Sequence, residues 1–338
     1  MKAVIQSKYG SPADVLQLRD VDKPVAGDGE VLVRVRAASV HPDVWHVVTG
    51  RPYVLRLMGA GLFKPKNPVP GTDVAGVVES VGENVTQFRP GDEVFGESLK
   101  GGLQWMNGGA YAEYATVSQD ALALKPQGIS FEQAAAVPTS GLIVLLNLQN
   151  QRKIRPGQNV VINGAAGGVG SIAVQLAKAY GARVTGVDST RKLEMVRALG
   201  ADRVIDYTRE DFTRLGERYD LIFDVASNLS LSDCKRALTP RGIYVLIGHD
   251  HYGAVGRRVF GSLPRFFKLA ILSPFVSYLP GMFVSVPGRK DSMAVLKELL
   301  ETGKLTPIVD RTFPLSAVPE ALTYLQSGNA CGKIIITP

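Results

Sequence analysis

Cysteine is nearly absent: Cys234 and Cys331 are the only two thiols in 338 residues, and they lie far apart along the chain. Two such residues build neither a disulfide framework nor a cysteine-rich metal lobe. Also missing is any run of basic residues interleaved with aromatics. The formal net charge is +7, but Lys and Arg are scattered, so the charge does not point to nucleic acid. A basic surface that attracts a phosphorylated ligand explains it as well. No internal repeat or low-complexity tract stands out. With 45% hydrophobic and 20% charged residues, the composition is that of a folded chain and excludes general disorder. Met1-Lys2-Ala3-Val4-Ile5-Gln6 reads as a short strand, without the apolar core and cleavage site of a signal peptide. A reducing cytoplasm is the expected compartment.

What is present is a two-part pattern, suited to a chain too long for one ordinary core. Residues 1–125 are rich in short strand patterns broken by Gly and Pro. Val31–Ala37 and Val74–Val81 are two, and Glu93–Gly96 follows the Pro90-Gly91-Asp92 turn. A Gly-rich loop from Gly101-Gly102 to Gly108-Gly109 precedes the strand-like Tyr111–Val117. Over 126–287 the pattern changes. Helical periodicity covers Phe131–Asn147, and then strands alternate with helices from Val160-Val161-Ile162 to Ile243–Ile247. Such alternation implies a parallel sheet with helices on both faces. Residues 288–338 return to mixed structure, with a helix at Asp291–Thr302 and a strand at Lys333–Thr337, and are expected to rejoin the first domain.

The strongest motif is Asn163-Gly164-Ala165-Ala166-Gly167-Gly168-Val169-Gly170, between a buried strand and the helix Ser171–Tyr180. A turn of this kind brings backbone N–H groups and a helix N-terminus up to a phosphate. Gly167 would admit a pyrophosphate, and Gly170 would let helix and strand pack closely. Asp188 ends the next strand about 20 residues on, where an acid can bind a ribose. Ser189, Thr190, Arg191 and Lys192 follow it, hydroxyls and cations where a ribose 2′-phosphate would lie, and Lys178 adds a further cation. These favour NADPH, with NADH possible. Ser227 and Gly248 fall at the ends of later strands and border the nicotinamide half by position.

Beyond that turn, several stretches carry a resemblance. They are Ala38-Ser39-Val40-His41-Pro42-Asp43, Pro70–Val78, Arg89–Val94, Gly109–Tyr114, Ala134–Pro138, Leu199-Gly200-Ala201-Asp202 and Gly332-Lys333. Over nearly its whole length the chain resembles the zinc-independent, quinone oxidoreductase-like branch of the medium-chain dehydrogenase/reductase superfamily. The resemblance implies an α/β fold: a Rossmann doubly wound parallel sheet plus a discontinuous β-rich GroES-like catalytic domain, with the cofactor in the cleft. It also implies a homodimer, and adds Thr139 and Lys333 to the cofactor residues. Where zinc-dependent relatives place ligands, this chain has His41, Thr72-Asp73 and the Pro138-Thr139-Ser140 region, with no cysteine. No metal is expected, since a zinc site needs at least three good ligands.

Without a Lewis acid, hydride addition to a quinone or an enone is the easier chemistry, because a hydrogen-bond donor can hold the oxygen that gains charge. The resemblance implies two catalytic residues. His41 stands where relatives have Asn, and Tyr53, in Thr49-Gly50-Arg51-Pro52-Tyr53, could bind a carbonyl or donate a proton. Packing roles are the alternative for both, and for Trp45 and Trp105. Small-molecule quinones or activated carbonyls are the expected substrates. Zinc-free alcohol or aldehyde oxidoreduction and a non-catalytic dinucleotide-binding regulator remain alternatives, since fold alone does not fix function. The segment Arg257–Val286 mixes Arg257, Arg258, Arg265 and Lys268 with Phe260, Phe266, Phe267, Leu269, Ile271 and Leu272. Its prolines and charges argue against a membrane-spanning helix. A lid or dimer contact is the plainer expectation, and contact with a membrane or acidic partner the other.

Overall fold

The computed structural model describes residues 1–99, 107–150, 154–248, 259–261, 263–279 and 288–338, with side chains left out at 58, 149, 150 and 263. Gly101, Gly102, Trp105, Arg257 and Arg258 fall outside the described residues. The chain divides into two compact units. One comprises Met1–Thr139, Gly288–Thr302 and Pro307–Pro338; the other comprises Ser140–Pro287 and Gly303–Thr306.

In the first unit, β1 (Lys2–Gln6) and β2 (Leu16–Asp20) pair antiparallel, with the short α1 (Pro12–Val15) between them. The long β3 (Glu30–Val40) runs through the unit's main sheet, and α2 (Pro42–Thr49) follows it at once. β4 (Asp73–Val81), β5 (Glu93–Glu97), β6 (Tyr114–Ser118) and β7 (Leu122–Leu124) complete its first part. The order is β13 (Val309–Pro314), β14 (Lys333–Thr337), β3, β4, β5, β7, with β6 also paired to β3. The closing strands β13 and β14 come from the chain's other end, through α9 (Arg289–Glu301) and α10 (Val318–Gln326). β14 is why the tail belongs here. Ile334, Ile335 and Ile336 are buried on both faces of the strand, and each such side chain contributes about 1.5–3 kcal/mol. α3 (Phe131–Ala135), closed by a Ser130–Gln133 capping box, packs on β3 and β4.

α4 (Pro138–Val144) leads into the second unit. Among the described residues five strands alternate with helices there: β8 (Asn159–Asn163), α5 (Gly168–Ala179), β9 (Arg183–Asp188), α6 (Leu193–Ala198), β10 (Arg203–Asp206), β11 (Tyr219–Asp224), α7 (Leu231–Ala237) and β12 (Leu238–Leu246). All pair parallel, in the order β10-β9-β8-β11-β12. Counted within the unit this is 3-2-1-4-5, the doubly wound order, and it reverses between β8 and β11. Ligands of such sheets bind outside the carboxyl ends of the strands at that point. α8 (Leu263–Leu272) is the helical part of the basic, apolar segment.

Candidate active site

In the second unit the glycine-rich turn leaves β8 at its carboxyl end, beside the reversal. Gly164 sits at φ +87°, a conformation costly for any residue with a side chain. Its N–H and that of Ala165 donate to Val187 O at 2.9 and 3.1 Å, which lays the turn along β9. Gly167 caps α5, and the helix begins at Gly168. A Cβ on Gly170 would stand 2.0 Å from Gly164 O, so turn and helix touch backbone to backbone. A Cβ on Gly167 would meet only Gly164 O, at an ordinary 3.7 Å. The first-turn N–H groups at Gly168, Val169 and Gly170, which a helix cannot satisfy itself, face out from this end. A helix N-terminus of this kind suits an anionic phosphate group.

Asp188 does something the sequence does not announce. Its Oδ2 accepts from Ala166 N at 2.9 Å, and its Oδ1 accepts from Ser189 N at 2.8 Å. The carboxylate is buried, with Lys192 Nζ 4.0 Å from Oδ1. Asp188 therefore pins the turn, and the N–H of Ala166 is committed to it. Arg191 is exposed beside it, whereas the Thr190 hydroxyl donates to Asp206. That bond, with those from Thr208, holds the Asp206 carboxyl below its usual range. Lys178 does not join this group. It lies in the last turn of α5 and binds both oxygens of Asp202 at 2.7 and 2.8 Å, near Val184 at the amino end of β9. Asp188 and Arg191 are at the other end of that strand, roughly 13 Å away at 3.3 Å per residue.

Across the reversal, Asp224 ends β11 fully buried. It accepts from Asn163 Nδ2, Ser227 N and Tyr244 OH, each at 2.8 Å. Burial raises its carboxyl, against these bonds and the Arg265 charge. Ser227 is a non-glycine residue at φ +59°, and its carbonyl and hydroxyl both face the Arg265 guanidinium. Its hydroxyl is therefore turned inward. Gly248 lies against Val225, where a Cβ would stand 1.8 Å from the carbonyl oxygen. Asn163, Ser227 and Gly248 thus frame one end of the sheet with the turn. Tyr207, which directly follows β10, also lies at this end of the sheet. Its N–H donates to Asp188 O, and its ring is 59% exposed.

In the first unit a buried polar network surrounds Asp73. The carboxylate accepts from Thr139 N at 2.9 Å, Thr139 Oγ1 at 2.5 Å, Ser39 Oγ, and Lys333 Nζ at 3.5 Å. Thr139 and Lys333, expected beside the cofactor, are found here on Asp73. Burial lowers the Lys333 ammonium from its usual range, partly offset by Asp73. Thr139 Oγ1 is also 3.1 Å from Glu97 Oε1. One hydroxyl proton cannot serve two carboxylates. With that proton on Asp73, the second contact is favourable when Glu97 carries its own and donates it. Burial, and then the Asp73 charge, raise the Glu97 carboxyl, opposed by Arg289, Thr139 and His41.

This arrangement has a pH signature. A carboxyl raised in the folded state stabilises fully below its unfolded value, and the contribution is lost as pH rises through the folded one. Stability should fall across that window above the usual carboxylate range, by about 1.4 kcal/mol for each unit separating the two values. Glu97→Gln keeps a donor for Thr139 and should flatten the dependence. Denaturant melts at a series of pH values measure it, and a variant with an unchanged slope removes Glu97 as the cause.

His41 caps α2 and is buried; Asp43 N–H donates to its Nδ1 at 3.3 Å. The Asp43 carboxylate lies 3.4 Å from the same Nδ1, and Nε2 has no partner among the described residues. A buried ring nitrogen of this kind calls for an explanation, and a substrate group is one. Tyr53 follows α2 and is 40% exposed, with the Arg56 guanidinium stacked 4.7 Å from its ring centre. Trp45 is buried against His46, edge to face at 5.3 Å. Among the described residues no three His, Cys, Asp or Glu side chains gather where a metal ion would fit.

Comparison with known proteins gives concordant matches. Residues 27–127 match the alcohol dehydrogenase GroES-like domain, and residues 199–336 match a family described as zinc-binding dehydrogenase. A chloroplastic NADPH-dependent alkenal/one oxidoreductase of Arabidopsis thaliana is 34% identical, aligned over all of this chain and 80% of its own. The quinone oxidoreductase of Homo sapiens is 30% identical over 99% of this chain and 97% of its own. Among solved structures, the quinone oxidoreductase of Escherichia coli complexed with NADPH superposes with a TM-score of 0.80 at 28% identity, covering both chains completely.

Proposed function

The chain belongs to the medium-chain dehydrogenase/reductase superfamily, in its zinc-independent, quinone oxidoreductase-like branch, and on that premise we propose that it reduces quinones and α,β-unsaturated carbonyls with NADPH. The observation that carries the cofactor choice is the position of Asp188. An acid that faced the ribose would repel a 2′-phosphate. Here the carboxylate is turned into the turn, held by Ala166 and Ser189 and partly neutralised by Lys192. Arg191 and Ser189 stand where such a phosphate would be held, and the first turn of α5 would take the pyrophosphate. The bound nucleotide supplies the hydride.

The remaining roles fall to side chains of the first unit. Negative charge develops on the carbonyl oxygen as the hydride adds, and a fixed donor in a water-poor setting stabilises it. With its ring proton on Nε2, His41 is such a donor, and the Tyr53 hydroxyl can bind the same oxygen or return a proton. Zinc has no part in this proposal. The carboxylate at the position resembling a zinc ligand, Asp73, is already engaged by Ser39, Thr139 and Lys333. A cytoplasmic homodimer belongs to the same proposal. No helix among the described residues is long and apolar enough to cross a membrane.

The test is kcat/KM with NADPH and with NADH, over a panel of quinones, enones and aldehydes, for the wild type and Arg191→Ala. The variant should lose about 10–100-fold with NADPH, the value of a charge-assisted contact, and hardly change with NADH. Equal losses with both cofactors, or a wild type that prefers NADH, would return the decision to Asp188. Cofactor binding without turnover on any substrate would make the protein a regulator instead.

A further inference from the structure

The helix α8 has two apolar faces and one of them is already used. Arg265, Leu269, Leu272 and Val276 recur at helical spacing and form the inner stripe. Leu269, Leu272 and Val276, with Tyr278, pack against the second unit's buried cluster around Ile222, Tyr219 and Tyr244. Arg265 locks that face in place: its guanidinium donates to Leu229 O at 2.6 Å and Tyr244 OH at 2.8 Å, and to Ser227 O. Beyond the helix, Phe275 N–H donates to Leu272 O, and Tyr244 N–H to Tyr278 O, which ties the segment to β12. The helix cannot roll to bury its other side.

That other side is Pro264, Phe267, Lys268, Ile271 and, one turn on, Phe275. Phe267 is 63% exposed, Ile271 69% and Phe275 83%, with Phe260 exposed nearby. A surface helix normally turns polar residues outward. A contiguous stripe of large apolar side chains that does the reverse marks an interaction surface. Its charge says with what. Lys268 lies within the stripe, and the sequence has no acidic residue between Asp250 and Asp291, although six basic ones lie in that span. Two copies meeting here about a two-fold axis would bring Lys268 towards Lys268 with no acid of the segment to neutralise them. An anionic lipid surface has no such conflict. It accepts Phe and Ile at the headgroup boundary without shape matching, and it attracts Lys and Arg.

We propose that the outer face of α8, through Phe267, Ile271 and Phe275 with Lys268, docks the protein on an anionic bilayer surface. The association is peripheral and reversible, weakened by salt, and separate from the reductase machinery.

Flotation of the full-length protein with lipid vesicles tests this. Wild type should float with vesicles of phosphatidylcholine containing about a third phosphatidylserine, and far less with phosphatidylcholine alone. Phe267→Ser combined with Ile271→Ser should lower partitioning about tenfold or more. Lys268→Glu, at an exposed position where the fold is not at risk, should lower it severalfold. Turnover of a water-soluble quinone should stay unchanged in both. Trp introduced as Phe267→Trp should shift its emission to the blue on adding the anionic vesicles. Absence of vesicle binding by the wild type would overturn the proposal, as would equal binding by wild type and variants. Conversion of a dimer to monomers by the double substitution, seen by light scattering, would also overturn it and assign the face to a second copy.

Discussion

Gly170→Ala is expected to destabilise the glycine-rich turn and weaken NADPH binding with it, whereas Gly167→Ala is expected to weaken binding with little change in stability. The contrast follows from two distances. At Gly170 a new Cβ lies 2.0 Å from Gly164 O and 2.9 Å from backbone atoms of Ala165. Nothing flexible is there to yield, so helix and strand must separate by an ångström or more. Overpacking of this kind costs about 1–3 kcal/mol, and more against backbone. At Gly167 the backbone has φ −74° and ψ 173°, ordinary extended values, and the new methyl meets nothing of the protein closer than 3.7 Å. On the proposed function it stands where the pyrophosphate would approach, and lost charge-assisted bonds would weaken NADPH about 10–100-fold. Thermal melts with nucleotide titration separate the two. A Gly170→Ala protein that melts and binds like wild type would mean the turn does not hold this geometry in solution.

Tyr53→Phe is expected to lower reduction by roughly 10²–10⁴-fold while the protein stays folded, the range for removing a positioned proton donor. The substitution keeps the ring, so the Arg56 stack survives; Arg56 also lies 4.4 Å from the Tyr9 ring and donates to Gly50 O at 3.0 Å. Only the hydroxyl is lost. An unchanged kcat, with hydride transfer shown to be rate-limiting by isotope substitution, would reduce Tyr53 to a packing residue and leave His41 Nε2–H as the oxygen's donor. The two outcomes differ by orders of magnitude, so one preparation decides.

The second unit was the more legible of the two because its signals are local. Val160-Val161-Ile162 is buried by a parallel sheet and reads as an apolar run, and the glycines follow it directly. The strand expected at Ile243–Ile247 proves to be β12, Leu238–Leu246, and begins earlier. Pro240 hides that start, and the ladder with β11 skips it, passing from Leu238 to Ile243 through an irregularity where proline is tolerated. β13, the end strand of its sheet among the described residues, has a burial pattern without alternation and so gives no strand signal. The expected strand at Tyr111 begins only at Tyr114, because Tyr111 instead buries its ring and donates to Ser39 O at 3.1 Å. The long helical pattern over Phe131–Asn147 breaks at Pro138 into α3 and α4. At the site, residue types were legible and side-chain directions were not. Asp188 reads as a ribose ligand until its bond to Ala166, 22 positions away, is known. Lys178 reads as a cation beside the turn until the length of α5 puts it at the far end.

The environment of one thiol carries a chemical consequence. The proposed substrates are electrophiles, and an enone that awaits reduction can equally alkylate a thiolate. Cys234 is fully buried on α7, and burial, followed by the Asp224 charge, pushes its thiol up to about 12. At neutral pH the nucleophilic form is then on the order of 10⁻⁵ of the total, and that form does the attacking. Self-inactivation by unreacted substrate is suppressed at this residue twice over, by access and by ionisation. Cys331, partly exposed, is the thiol left for an escaping Michael acceptor to find.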